Sequence, residues 1–168
     1  MAIRTILKFP DARLHARAEP VRDFGDELRL LADDLLETMR AAPGIGIAAP
    51  HLGVMKRLAV IEIERGAGPR VYVNPRIEWT SPELARHEEG SVSMPGVADT
   101  VERPARIRVR YQDLAGAEAG EEADGMLAIC LQHEIDQLDG IFWTGRLSRL
   151  RRDRVIKRFH KLQRETGA

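Results

Sequence analysis

The sequence lacks a second cysteine, because Cys130 is the only one among 168 residues. No disulfide can therefore form within the chain, which is typical of proteins in a reducing compartment. The sequence also has no apolar run near the ~18 residues that a membrane-spanning helix needs. The N-terminal stretch MAIRTILKFP is too short and too charged for a secretory signal. We therefore expect a cytoplasmic protein with no membrane partner.

An excess of one charge is missing as well, since 26 basic residues balance 26 acidic ones. The overall charge gives no reason to expect DNA or membrane binding. The local balance differs: residues 145–168 hold nine Lys or Arg and two Asp or Glu, a local charge of +7. Such a segment is either the solvated face of an amphipathic helix or a surface that contacts nucleic-acid phosphates.

Hydrophobic periodicity predicts the order of the secondary structure. The predicted helices are 26–42, 125–138 and about 148–164, and the predicted strands are 57–63, 70–79 and 105–113. Asp26 and Asp124 are placed to act as helix N-caps. Glycine and proline interrupt residues 43–50 and 88–96, which predicts loops or, at 43–50, a short edge strand. Strands first and a buried helix later indicate an α+β fold, and the length suits a single domain, 1–168.

The helix at 125–138 combines an apolar first half with a polar second half. A helix that is apolar nearly all round is typically buried in the middle of a domain, and Gly140 is well placed to end this one. His133 and Gln137 are four residues apart, so they share a face. Buried polar groups need partners, either a metal with its bound water or an ordinary hydrogen-bond network. The adjacent Glu134 favours a nearby cation, because an unpaired buried carboxylate is costly.

The stretch QHEIDQL is similar to the zinc-binding pattern H-E-x-x-H with one position changed. In the intact pattern two imidazoles bind the cation, and the metal lowers the pKa of its water toward ~7. The Glu of the pattern then takes a proton from that water. Here Gln137 stands at the second His position, and an amide oxygen is a weak substitute for imidazole on zinc or ferrous iron.

Three stretches together resemble the motifs of the peptide deformylases. GIGIAAPH at 44–51 is similar to that family's G-x-G-x-A-A-x-Q, EEGSVS at 88–93 to E-G-C-L-S, and QHEIDQLDG at 132–140 to Q-H-E-x-D-H-L-x-G. The motifs occur in the family's order, and the flanking stretches agree over nearly the whole chain. The resemblance implies antiparallel or mixed sheets around a central buried helix that carries His133, plus a C-terminal helix.

The resemblance also implies which residues form the site. The family's metal ligands fall on Ser91, His133 and Gln137, of which only His133 is retained. The family's catalytic carboxylate falls on Glu134, and His51 stands where the family has the glutamine that polarises the formyl group. The implied cofactor is a divalent metal of the iron or zinc type. We expect its binding to be weak or absent, because a hydroxyl and a carboxamide replace a thiolate and an imidazole.

Other arrangements of these residues remain open. His51 could swing inward as a substitute ligand and form a two-His-one-carboxylate set with His133 and Glu134. Otherwise it simply replaces the hydrogen bond of a glutamine. Ser91 could act as a nucleophile beside a histidine, although no G-x-S-x-G turn is present.

The resemblance further implies a peptide-binding site. An extended peptide would pair with the chain at Gly46, and the backbone N–H of Val92 would face the developing oxyanion. The pocket for the methionine side chain of the substrate is expected to include Ile45, Met126, Ile129 and Cys130. His87 stands where the family usually has an apolar pocket residue, and Ala98 stands near a position where the family often has an arginine. Both changes place peptide binding in doubt.

Two functions follow from these observations. The family's reaction is the metal-dependent hydrolysis of the formyl group from N-terminal formyl-methionine of nascent proteins. We expect this activity to be absent or strongly impaired, as in a bacterial pseudoenzyme that keeps the cleft for a nascent N-terminal peptide or the basic C-terminal helix for ribosome contact. The alternative is an active metal-dependent amidohydrolase that uses an altered ligand set, on another formyl or acyl amide.

Overall fold

The computed structural model describes residues 2–167, so Met1 and Ala168, the ends of the predicted domain 1–168, lie outside it. The described chain has α-helices at Asp26–Ala41 (α1), Gly125–Leu138 (α2) and Arg149–Thr166 (α3). Its strands are Gly46–Ala48 (β1), Leu58–Ile61 (β2), Arg70–Thr80 (β3), Leu84–Ser91 (β4), Met94–Pro104 (β5), Arg106–Gln112 (β6) and Glu118–Asp124 (β7). Short 3₁₀ helices span Ala12–His15, Ala49–Leu52 and Trp143–Arg146. Helices combined with antiparallel strands confirm the predicted α+β class.

Most strands belong to one antiparallel sheet in the order β1-β2-β3-β6-β7, while β4 and β5 pair as a separate hairpin. The half-buried strand predicted at 105–113 is confirmed, because Ile107 and Val109 are fully buried and the intervening arginine is exposed. The short edge strand allowed for at 43–50 is also present, since β1 pairs only with β2. β1 is therefore one edge strand of the sheet, and β7 is the other.

The buried helix predicted from its apolar first half is α2. Its apolar side chains pack against the inner face of the sheet, in one cluster with Ile61, Tyr72 and Ile107. Gly140 follows the helix with a φ of 80°, a left-handed conformation that favours glycine. A Cβ on Gly140 would lie 3.0 Å from the carbonyl oxygen of His15, so the glycine also allows the N-terminal segment to pack closely.

Two local predictions were wrong, at Asp26 and at 88–96, whereas the N-cap position of Asp124 is confirmed. Gly25 is the N-cap of α1, and Asp26 is its first helical residue. Asp124 does hold the N-cap position of α2, but its side chain makes no capping hydrogen bond. Residues 88–96 are not a loop, because they include the end of β4 and the start of β5. In this hairpin the backbone N–H and C=O groups form hydrogen bonds between the strands, so the segment is ordered although it has few apolar side chains.

The other two helices complete the layers around α2 and the sheet. The apolar stripe of α1 packs beside β1 and β2, with Leu35 and Met39 fully buried. α3 packs Val155 and Phe159 in a cluster with residues of β5. Ser148 caps α3, because its hydroxyl accepts a hydrogen bond from the backbone N–H of Arg151 at 3.3 Å. Within the described residues, no helix combines the length and apolarity needed to cross a membrane.

Candidate active site

A cleft of about 370 Å³ is formed by β1 and its preceding loop, the β4–β5 hairpin and α2. It brings together all but one of the predicted site residues. Those on its wall are Ile45, Gly46, His51, His87, Ser91, Val92, Met126, Ile129, Cys130, His133 and Glu134. The exception is Gln137, which is buried but does not line the cleft.

The close approach of β1 to α2 forms one side of the cleft. A Cβ on Gly46 would lie 3.2 Å from Oε1 of Glu134, a distance that few real Cβ atoms show. Glycine therefore lets the strand backbone meet the carboxylate. Because β1 pairs only with β2, its other side is open to another chain at Gly46, whereas the N–H of Ala48 already donates to Nδ1 of His51.

His133 is held by a carboxylate on the neighbouring hairpin. Its Nδ1 lies 2.9 Å from Oε1 of Glu89, and the acceptor-only carboxylate assigns the ring proton to Nδ1. The other nitrogen, Nε2, lies 3.8 Å from Oε1 of Glu134. Burial lowers the pKa of His133, but the hydrogen bond to Glu89 and the charges of the two carboxylates outweigh it, so the pKa is raised. The hydrogen bond to Glu89 therefore orients the ring of His133, and its Nε2 is left without a hydrogen-bond partner among the described residues on the cleft side.

Glu89 belongs to a buried chain of ion pairs that the sequence analysis missed. Arg103 donates two hydrogen bonds to Glu89, at 2.6 and 2.9 Å, and a third to Asp136 at 2.8 Å. Arg146 then donates to both oxygens of Asp136, at 2.9 and 2.7 Å. Burial raises the pKa of Glu89, but hydrogen bonds from His133 and Arg103 reverse the effect and bring it to about 2. These linked ion pairs thus hold His133 in place, with charged residues contributed by β4, β5, α2 and the last 3₁₀ helix.

Glu134 is a buried carboxylate without a close partner. Its Oε2 has no hydrogen-bond partner among the described residues, and Nδ1 of His51 lies 3.9 Å away. Burial raises the pKa of Glu134 to about 7, with Glu89 raising it and the charges of His133 and Arg103 lowering it. An unpaired buried carboxyl group is costly for folding, so its position beside a cleft indicates a functional role.

His51 is fixed as a neutral ring with a defined tautomer. The backbone N–H of Ala48 donates to its Nδ1 at 2.9 Å. An amide N–H can only donate, so Nδ1 is the acceptor and the ring proton is on Nε2, even though the Ala48 carbonyl lies 3.2 Å from the same Nδ1. Burial lowers the pKa of His51 to about 3, and the charge of His133 adds to the effect. Nε2 has no acceptor among the described residues.

The three residues that the resemblance places at ligand positions, Ser91, His133 and Gln137, do not form a suitable donor set for a divalent metal. Ser91 Oγ accepts a hydrogen bond from the backbone N–H of Ser93 at 3.0 Å. The side-chain amide of Gln137 donates to the carbonyl of Leu14 at 2.8 Å. Across residues 2–167, no three His, Cys, Asp or Glu side chains are grouped so that they could hold a metal ion. One imidazole, one hydroxyl and one amide supply no negative charge to a cation.

A nucleophilic pair of Ser91 with His133 is not supported by the contacts. Among the described residues, Ser91 Oγ has its hydrogen bond with the turn of its own hairpin. His133 directs Nδ1 to Glu89, and its Nε2 lies 3.8 Å from Oε1 of Glu134. A serine needs a base within hydrogen-bond reach to become a nucleophile.

The outer part of the cleft has a mainly apolar wall with two polar members. Met126 and Ile129 supply apolar surface from the first turns of α2. His87 donates its Nδ1–H to the carbonyl of Glu88 at 2.9 Å, which leaves Nε2 as an acceptor. Burial raises the pKa of Cys130 to about 12, and the charges of Glu134 and Glu89 add to it, so Cys130 is a neutral thiol.

Comparisons with known proteins agree with this fold and cleft. A family model described as polypeptide deformylase matches residues 3–153. A peptide deformylase-like protein of Brucella melitensis is 67% identical over 164 residues, which cover 98% of this chain and 100% of the relative. A peptide deformylase of Phenylobacterium zucineum is 48% identical over 164 residues, covering 96% of this chain and 97% of the relative. A peptide deformylase crystal structure from Legionella pneumophila superposes with a TM-score of 0.94 at 40% identity, covering 99% of this chain and 98% of that one.

The fold and the position of the cleft define a deformylase-type α+β protein. The chain belongs to the peptide deformylase family, as the three motifs predicted. The family comprises metal-dependent hydrolases that act on the formyl-methionine of nascent peptides. What this chain does with the changed residues at positions 51, 91 and 137 is a separate question.

Proposed function

We propose that this protein is a deformylase-family member that does not hold the family's metal tightly and removes formyl groups poorly or not at all. The observation that carries the proposal is the chemistry at the three ligand positions. Ser91 and Gln137 are neutral, both are engaged by backbone groups, and only His133 offers a free nitrogen. Changes to groups that only support metal ligands cost about 10–100-fold in affinity, so losing an anionic ligand and an imidazole themselves should cost more.

Metal analysis of the full chain, purified without added metal, tests the first half of this proposal. We expect well below one equivalent of iron, zinc, nickel or cobalt per chain. The second half is tested by deformylation of a formyl-methionyl tripeptide with each metal supplied. Full metal occupancy, or turnover at the rate of an intact family member, would contradict the proposal.

Reversion of the changed residues provides a positive control for the same assay. The triple variant Ser91→Cys, Gln137→His and His51→Gln should gain both stoichiometric metal and deformylation. Adding Glu134→Ala to that variant should remove the activity but keep the metal. Failure of the triple variant to bind metal would show that the three substitutions are not what limits this site.

The cleft retains features that suit an extended peptide, and we include peptide binding in the proposal. The free edge of β1 at Gly46 can pair with a peptide backbone, and the N–H of Val92 is available as a donor. The apolar wall of Ile45, Met126 and Ile129 suits a methionine side chain, with Cys130 and His87 adding weak polarity. The proposed partner is therefore the N-terminal segment of a nascent chain, in the cytoplasm, bound by a single unit that spans residues 1–168.

An altered ligand set remains the second candidate, because His51 Nε2 and Glu134 Oε2 are both buried without partners beside His133. In that case the protein would be an active amidohydrolase on another formyl or acyl amide. The tautomer of His51 opposes this arrangement, since its Nε2 carries the proton while Ala48 occupies Nδ1. An unchanged metal content in His51→Ala would exclude His51 as a ligand.

Ribosome contact through α3 is a further part of the proposal. Among the described residues, Arg151 is the one basic side chain of α3 within ion-pair distance of a carboxylate, that of Asp99. The remaining Lys and Arg of the helix are free to contact RNA phosphates. Co-sedimentation with ribosomes should decrease steeply as salt is raised, and a variant with Arg154, Lys157 and Arg158 replaced by Gln should bind less.

A further inference from the structure

The strand β7 forms the edge of the main sheet that lies opposite β1. It pairs with β6 over its whole length, from Gln112 with Glu118 to Arg106 with Asp124. No residue of β7 lines the candidate active site. We propose that the free side of β7 binds an extended basic segment of a partner protein, which adds to the sheet as a further strand. This surface is separate from the cleft and from α3, so the inference goes beyond the proposed function.

The backbone of β7 has unused hydrogen-bonding groups on the side away from β6. The N–H of Asp113 donates to the carbonyl of Ala117 at 2.9 Å and closes the turn between the two strands. In an antiparallel pair only every second residue bonds to the neighbouring strand, so this bond sets the order along β7. The residues that direct their N–H and C=O groups outward are Glu118, Gly120 and Glu122. Among residues 2–167 no strand pairs with them on that side, and such a row is what an added peptide strand uses.

The side chains of this row give the edge a negative charge. Glu118 and Glu122 have side chains 50% and 74% exposed, and the exposed Asp124 continues the row. The three arginines of β6 form a parallel row behind it. An added strand would lie about 4.8 Å from the acidic row and about 10 Å from the arginines. Because the Debye length is about 8 Å at physiological ionic strength, the carboxylates dominate what the added strand experiences.

The charge of the edge determines which occupant fits. A second copy of the chain would place its own acidic row beside the first, and like charges directly opposite each other are destabilising. The same repulsion opposes an acidic segment. Lysine or arginine at every second position of an added strand forms cross-strand pairs with Glu118 and Glu122. The alternate positions face the inner side of the sheet, where the small side chains of Ala119 and Ala123 leave room for apolar residues.

The probe is a fluorescently labelled peptide with blocked termini in which lysine and valine alternate over seven residues. We expect saturable binding to the full chain by fluorescence anisotropy. Hydrogen exchange measured by NMR should slow at the amides of Glu118, Gly120 and Glu122, and should change less at Ala119 and Ala123, which already face β6. A peptide with glutamate in place of lysine should not bind. N-methylation of the lysine backbone nitrogens keeps the charge but blocks hydrogen bonds to β7 in antiparallel pairing, and should weaken binding by about 10-fold or more.

A double variant, Glu118→Gln with Glu122→Gln, tests the contribution of the acidic row. Losing two cross-strand pairs of opposite charge should weaken binding of the lysine peptide by about 10-fold. Asp153→Asn with Glu165→Gln removes the same charge from exposed positions of α3 and serves as the matched control, which should bind as the wild type does. Circular dichroism and thermal unfolding establish that each variant is folded.

The outcomes separate this inference from the proposed function, which concerns metal and the cleft. Absence of binding by folded protein, or equal binding of the N-methylated peptide, overturns the inference. Equal weakening by the two double variants overturns it as well, because the attraction is then to overall charge. Protection of the β1 amides in place of those of β7 assigns the peptide to the other edge and also overturns it. So does a dimer, detected by light scattering, whose β7 amides are protected without peptide.

Discussion

The buried ion-pair chain behind His133 leads to a quantitative prediction for Arg103→Met. Methionine has a similar length and leaves the space filled, but the substitution removes the guanidinium that binds Glu89 and Asp136. Both carboxylates stay buried, with side chains 4% and 11% exposed. Removing one member of a buried ion pair costs about 3–5 kcal/mol, because the remaining charge is uncompensated.

The lower end of that range applies here, because each carboxylate keeps one other partner. Glu89 retains the Nδ1–H of His133, and Asp136 retains the two bonds from Arg146. We therefore expect a loss of about 3 kcal/mol in the free energy of unfolding. For a chain of 168 residues, about 3 kcal/mol corresponds to a decrease in Tm of roughly 6–12 °C.

Urea denaturation at pH 8, followed by circular dichroism, measures this loss. Arg108→Met is the matched control, since Arg108 pairs with Glu122 on the exposed face of β6 and its side chain is 48% exposed. Exposed ion pairs contribute about 0–1 kcal/mol, so the control should be nearly neutral. A loss below about 1 kcal/mol for Arg103→Met, or equal losses in the two variants, would refute the reasoning.

The pH dependence of the same measurement tests the electrostatic cause. In the wild type the pKa of Glu89 is depressed to about 2, so this group stabilises the fold above its unfolded pKa, and the contribution disappears as pH falls from about 4.5 to 2. Without Arg103 the folded pKa of Glu89 rises, and protonation removes the uncompensated charge. The destabilisation caused by Arg103→Met should therefore be smaller at pH 5 than at pH 8.

Three further substitutions probe local features of the fold and cleft. Gly46→Ala places a Cβ 3.2 Å from Oε1 of Glu134 and should cost about 1 kcal/mol or more in urea denaturation. Gln137→Leu leaves the buried carbonyl of Leu14 without its donor and should cost about 1–3 kcal/mol by the same measurement. Ser148→Ala removes the N-cap hydrogen bond of α3 and should lower the free energy of unfolding by about 1 kcal/mol, with reduced helical signal at 222 nm.

Matched controls accompany these substitutions. A Cβ on Gly145 would meet only Ile141 Cγ2, at 3.8 Å, so Gly145→Ala should be nearly neutral, and an equal loss in Gly46→Ala and Gly145→Ala would contradict the steric argument. Ser148→Asp keeps an N-cap acceptor and should retain stability. A Gln137→Leu variant as stable as the wild type would show that the bond to Leu14 contributes nothing.

The fold could be predicted where one face of an element is apolar. Apolar and charged residues alternate in β6, and the first half of α2 is apolar. Both patterns predicted which residues are buried, and both predictions are confirmed. The β4–β5 hairpin was missed at 88–96, because its strands there carry Glu, Ser, Gly and Pro, and their order depends on pairing rather than on a hydrophobic pattern. Pairing between distant residues, such as Glu88 with Thr100, leaves no periodic signal in the sequence.

The candidate site could be predicted as a set of residues but not as a set of contacts. Eleven of the residues predicted from the motifs line one cleft. Gln137 does not, because its side-chain amide donates a hydrogen bond to the carbonyl of Leu14. The ion pair of Arg103 with Asp136 joins residues 33 positions apart, and no spacing rule connects them. One sequence feature did point to this ion pair. Asp136 is a second acidic residue on the buried helix α2, so its carboxylate needed a positively charged partner from another part of the chain.

The hydrogen bond that orients His133 is present in this chain together with neutral residues at positions 91 and 137. Orienting a histidine through a carboxylate on Nδ1 is how proteins prepare Nε2 for a metal, and here that arrangement persists together with Arg103, although two of the three ligand positions carry neutral groups. The ion-pair chain has a structural reason to persist, because removing Arg103 takes away one partner from each of two buried carboxylates, Glu89 and Asp136. Ser91 lies outside this chain of charges, and its hydroxyl accepts one hydrogen bond, from the backbone N–H of Ser93. The proposal therefore predicts that substitutions at positions 91 and 137 change metal affinity while the hydrogen bonds that hold His133 through Glu89 and Arg103 stay in place.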